Sequence, residues 1–144
     1  PVLHTWLEAY GIGSHVLVTL NASRAGCLEC LFTPADLAEE IHDRSSFAAA
    51  GQTFAKDLTG CASPFTPFGA LDSQQAASHA IEVAKNVLLG SIFGNPLLSW
   101  KGKEEAFVEA GYQLSDRYDL TQDELFEQRN VYRNARCSVC GGKK

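Results

Sequence analysis

Two Cys-x-x-Cys turns stand near opposite ends of this chain, Cys27/Cys30 in GCLECLF and Cys137/Cys140 in CSVCGGKK. Thiolates spaced this way can both face one ion, and Zn²⁺ takes four soft ligands in a tetrahedron at about 2.3 Å from sulfur. Two such turns complete that shell. The 106 residues between Cys30 and Cys137 far exceed the ~15–20 of a zinc ribbon. A compact zinc finger is therefore excluded. A shared ion would instead fasten the two ends of the fold together and pin a C-terminal tail that lacks its own core. Disulfides or free thiols are a second reading, weakened because nothing in the sequence signals an oxidising compartment. A redox motif is a third. Such motifs usually sit at a helix start after a strand, whereas here one pair precedes LFTP and the other lies in a Gly/Lys tail.

The 144 residues set the expectation of one domain spanning 1–144. Net charge is −5, from 12 Lys+Arg against 17 Asp+Glu, which argues against nucleic acid as a partner because backbone binding needs clustered positive charge. No apolar run approaches the ~20 residues that span a bilayer, and no secretion leader is evident at the start. A cytoplasmic protein without membrane partners is expected. The chain has no methionine and begins at Pro1, so it reads as a piece of a larger protein.

Residues 2–9 and 15–20 are apolar, rich in β-branched and aromatic side chains, and separated by YGIG. They read as a β-hairpin. TPADLAEEIHD carries a helix start, with Thr33 as cap and Pro34 at the first helical position. DSQQAASHAIEVAKNVLLG is the strongest helix. Asp72 is its expected N-cap, Gly90 its C-cap, and Ala76, Ala80, Ile81, Val83, Ala84, Val87 and Leu88 form a wide apolar face. SIFGNPLLSWKGK reads as turn-rich. TQDELFEQRNVY opens on a Thr121/Glu124 capping box. The fold class is mixed α/β with few strands. A lone hairpin is marginal in water, so these strands are expected to extend a sheet whose other members lie elsewhere.

The fifth cysteine, Cys61, lies in the Pro/Gly loop CASPFTPFGALD. It is either an exposed nucleophile, its thiolate favoured by a nearby helix N-terminus, or a small buried hydrophobe. His4 and His15 in the strands, facing each other or solvent, and His42 and His79 in helices are each more readily structural than catalytic. No Ser-His-Asp or H-E-x-x-H arrangement is evident. Phe65 and Phe68 are expected to pack the loop down.

EAYGIGSHVLVTLNASRAGCLECLF resembles the segment of ThiF/MoeB/HesA-type proteins where a strand pair leads through a small-residue loop to G-C-x-x-C-L-F. These are ubiquitin-activating-enzyme-like adenylating enzymes. The helix with Ala80, Glu82 and Lys85 is loosely similar to the family's A-x-E-x-x-K helix. The resemblance implies the C-terminal part of a Rossmann-like adenylation domain with a zinc-stapled tail, held by Cys27, Cys30, Cys137 and Cys140. It implies that Cys61, in the crossover loop, accepts a ubiquitin-like protein's C-terminal carboxylate as a thioester and passes it to a conjugating-enzyme domain. The loop most resembles bacterial activating/conjugating fusions, some of them from antiphage signalling operons. Relatives of this type are usually homodimers. The family's nucleotide loop lies upstream. The GIG at 11–13 lacks G-x-G-x-x-G spacing and a following helix, so ATP and Mg²⁺ are expected only with that other half. The alternative is a zinc-stapled protein-binding module without chemistry.

Overall fold

The computed structural model describes residues 1–20, 25–34, 36, 41–56 and 65–141. Three strands form one antiparallel sheet in the order β1-β2-β3. These are β1 (Val2–Leu7), β2 (Gly13–Thr19) and β3 (Leu97–Lys101). The expected hairpin is present, with Val2 opposite Thr19 and Leu7 opposite Ser14. It turns through a short 3₁₀ segment, Ala9–Gly11.

The third strand corrects the turn-rich reading of SIFGNPLLSWKGK. Its first half is indeed irregular, but Leu97–Lys101 pairs with β2, Ser99 lying opposite His15 and Lys101 opposite Gly13. A five-residue strand behind Gly94, Asn95 and Pro96 carries almost no local signal, and its partner decides its conformation.

As the central strand, β2 is buried on both faces, with its residues 13–18 all buried. Period-2 alternation divides its side chains. Val16 and Val18 pack with Val83, Ala80 and Val87 of the long helix α2 (Ala70–Leu88). On the opposite face, Leu17 joins Leu31, Leu97 and Tyr132. A separate cluster gathers Ile12, Phe47, Phe107 and Leu125. It draws on α3 (Glu105–Glu109), on α4 (Asp116–Asp119) through Tyr118, and on α5 (Gln122–Glu127).

Helix α2 begins three residues earlier than its sequence suggests. Gly69 is the N-cap and Asp72 sits at the third helical position, where its carboxylate accepts the Gly69 N–H at 2.7 Å. At the other end Gly90 has φ +68. Gly90 N–H reaches Val87 O at 3.1 Å and Ser91 N–H reaches Asn86 O at 2.9 Å, which together make a Schellman turn. The expected apolar face is narrower than read. Ile81 and Leu88 are exposed, because only one stripe of the helix meets a three-stranded sheet.

Thr33 stands at the C-terminal end of a helix. It closes the one-turn helix α1 (Glu29–Phe32), its hydroxyl donating to Glu29 O at 2.8 Å. Most of the helix expected beyond it lies outside the described residues. The Thr121/Glu124 box is as expected, with Thr121 N–H donating to Glu124 Oε2 at 2.7 Å and Glu124 N–H to Thr121 Oγ1 at 3.2 Å. Thr121→Ala should cost about 1 kcal/mol, measured as a shifted urea midpoint with unchanged slope. No change would mean that the packing of Leu125 alone holds α5.

Phe65 and Phe68 are exposed, against the expectation that they pack the loop down. Among the described residues no helix is long and apolar enough to cross a membrane.

Candidate metal centre

The first Cys-x-x-Cys turn is placed by α1. Cys27 precedes it, Cys30 lies within it, and Cys30 N–H donates to Cys27 O at 3.0 Å. Gly26 leads into the turn with φ +101, and a Cβ there would meet the Tyr132 hydroxyl at 2.5 Å. Only glycine suits a position that is both left-handed and this crowded. The second turn is framed by Asn134, whose carbonyl accepts Cys137 N–H at 3.1 Å and whose Oδ1 accepts Arg136 N–H at 2.9 Å. The Asn134 side-chain amide also donates to Thr33 O at 2.9 Å and Pro34 O at 3.1 Å, so the tail is tied to the end of α1.

Asn95 and Tyr132 complete the support. Asn95 Nδ2 donates to Gly26 O at 2.7 Å, and its Oδ1 accepts Leu20 N–H at 2.9 Å. Tyr132 Oη donates to Asn95 O at 2.7 Å. Nothing local in the sequence singles out these two. Their role comes from contacts 37 and 69 positions away in the chain.

All four sulfurs lie within 4.8 Å of one another. Across the two turns, Cys27 Sγ is 3.7 Å from Cys137 Sγ and Cys30 Sγ is 3.2 Å from Cys140 Sγ. A tetrahedron with metal–sulfur bonds of about 2.3 Å has edges of about 3.8 Å. The set therefore fits one Zn²⁺ with small adjustments. Cys30 and Cys137 are buried, and Cys27 and Cys140 are half-buried. Burial raises the Cys137 thiol, but the backbone N–H groups of Cys140 and Val139 outweigh it and hold it down at about 6. Burial pushes Cys27 and Cys140 up. One thiolate thus forms easily in this cluster, and gathering four needs a cation among them. Four protein sulfurs leave no open coordination position, so the ion would be structural.

Cys61 lies outside the described residues. Of the histidines, His15 belongs to a buried arrangement that the sequence did not disclose. Register sets Trp6, His15 and Ser99 side by side on one face across the three strands. His15 Nε2 lies 2.7 Å from Glu8 Oε1 and Nδ1 lies 2.9 Å from Ser99 Oγ. His15 and His4 do not face each other. His15 is opposite Trp6 and fully buried, its ring stacked on the indole at 5.2 Å. Glu8 also accepts the N–H groups of Phe47 at 2.7 Å and Ala48 at 3.2 Å. Burial raises the Glu8 carboxyl, but the His15 hydrogen bond and charge outweigh it, with help from Ser46 and Phe47, and the net shift is downward. Arg117 extends the chain, donating from Nη2 to Ser99 Oγ at 3.1 Å and from Nε to Ser45 O at 3.0 Å. His79 lies in α2, its Nδ1 3.3 Å from Ser14 Oγ.

Comparison with protein-family models, curated proteins and solved structures returns no match for this chain.

Proposed function

We propose that this chain is part of a ubiquitin-like-protein activating enzyme, the C-terminal portion of a Rossmann-like adenylation domain whose ends are stapled by zinc. The observation that carries the reading is the convergence of Cys27, Cys30, Cys137 and Cys140 from the two ends of the chain within 4.8 Å. That long-range set is the arrangement the family resemblance implies. A second support is that β1 stands at the edge of a three-stranded sheet with one neighbour, which suits a sheet continued by further strands.

Gly11-Ile12-Gly13 forms the hairpin connection and the start of β2. Adenylation with ATP and Mg²⁺ belongs to the half this chain does not supply. The zinc, when bound, supplies cross-linking and no reactivity. The chemistry of this chain would rest on Cys61. Its thiolate attacks the carbonyl carbon of the activated C-terminus, a C–S bond forms, the C–O bond to the phosphate breaks, and AMP leaves with the electron pair. The thioester then passes to a conjugating-enzyme cysteine. The protein works as a homodimer in the cytoplasm, and an antiphage role is the setting that its loop suggests.

Maleimide labelling of the zinc-bound chain, read by intact mass, tests this. One fast-labelling thiol is expected, lost in Cys61→Ser with zinc retained. No labelling before denaturation would place Cys61 in the core and leave the zinc-stapled binding module as the reading.

A further inference from the structure

Two adjoining cavities, of about 340 and 230 Å³, share Arg44, Asp116 and Arg117 on their walls. The larger one also has Leu97, Leu120 and Gln128. Its two guanidiniums are held in different ways. Arg117 is fixed before any ligand arrives, by Ser99 Oγ, by Ser45 O and by the Phe47 ring at 5.9 Å. Behind Ser99 stand His15 and the Glu8 carboxylate, so a buried relay anchors this arginine. It spends two kinds of N–H donor there and keeps others, since a guanidinium carries five. Arg44 is tied down only through its backbone, whose N–H donates to Leu31 O at 3.0 Å. Among the described residues its guanidinium has no hydrogen-bond or ion-pair partner, and Asp116 makes no ion pair with either arginine.

We propose that this cavity binds a monocarboxylate on a short apolar stem. On the wall of the larger cavity two arginines stand against Asp116 alone, a local surplus of one positive charge that matches a single negative charge better than a phosphate dianion; Asp43 lies on the wall of the smaller cavity. Planar guanidinium forks match a carboxylate bidentately. Leu97 and Leu120 offer an apolar wall for the stem, and Gln128 offers an amide at the same cavity. The volume sits at the lower end of small-ligand sites. A free branched acid and the carboxyl end of a peptide share this chemistry. The site is independent of Cys61 and of the activation chemistry, and it stands or falls without them.

The test is a titration of the zinc-bound chain, followed by backbone amide NMR. Four probes are compared: isovalerate, its neutral amide isovaleramide, inorganic phosphate, and an N-acetylated dipeptide ending in leucine. Isovalerate should shift amides around residues 44, 117 and 128 saturably, with a Kd on the order of 1 mM for so small a ligand. Tighter binding of the dipeptide would identify a peptide end as the source, and tighter binding of isovalerate a free acid. Arg44→Gln should leave the spectrum folded and weaken isovalerate roughly ten- to hundredfold, as expected for loss of a charged hydrogen bond. Absence of saturable shifts would overturn the proposal. So would equal binding of isovaleramide, phosphate binding as tight as isovalerate, or an unchanged Kd in Arg44→Gln.

Discussion

Cys30→Ser is expected to release the metal and lower the melting temperature by about 10 °C or more, with the C-terminal segment coming free first. The cause is geometric. Cys30 is fully buried, 3.2 Å from Cys140, and shares a cluster with Leu17, Leu31, Leu97 and Tyr132. Structural zinc contributes about 10–16 kcal/mol of apparent binding free energy in small finger peptides. Even a loss of about 3 kcal/mol is a large share of the ~5–15 kcal/mol that stabilises a domain, and it corresponds to the melting shift above. Limited proteolysis should then cut near residues 133–141 in the variant and not in the parent. Retention of both the metal and the melting temperature would mean that Tyr132 and Asn134 hold the tail unaided.

The second large effect belongs to Glu8. Its carboxylate serves His15, Phe47 N–H and Ala48 N–H at once. Glu8→Ala leaves His15 Nε2 and Phe47 N–H without their partner, while Ala48 N–H keeps Ser46 Oγ at 3.0 Å; breaking a buried pair in this way costs about 3–5 kcal/mol. The same site gives a pH dependence. The folded Glu8 pKa lies below the unfolded value of 4.5. Its contribution is therefore fully present above about pH 4.5 and is lost as pH falls through the lower folded value. Urea unfolding at pH 7 and at progressively lower pH should show the parent losing stability across that acid range and Glu8→Gln losing less. Parallel pH profiles would rule out Glu8 as the titrating group.

What could be read from the sequence was what local chemistry or spacing encodes. The hairpin followed from two apolar runs, the α5 start from Thr121 and Glu124, and the end of α2 from Gly90. The four-cysteine cluster followed from two Cys-x-x-Cys turns, because thiol spacing constrains ligand geometry even across 106 residues. Features made by pairing at a distance stayed hidden. Leu97–Lys101 becomes a strand because β2 pairs with it. Ser99 meets His15 only through that pairing, 84 positions away. Glu8 was the nearer half of the relay. It closes the hairpin through Glu8 N–H to Gly13 O at 2.9 Å, but nothing local distinguishes it from an exposed glutamate. The exposure of Ile81 and Leu88 likewise depends on how much sheet lies under α2, a quantity helical periodicity does not contain.

The most direct test of the zinc-stapled account is X-ray absorption at the zinc edge on anaerobically purified chain, with metal stoichiometry measured on the same sample. The account predicts one zinc per chain and a first coordination shell of four sulfurs at about 2.3 Å. A shell containing nitrogen or oxygen ligands, or a chain without metal whose thiols are oxidised to disulfides, would contradict it.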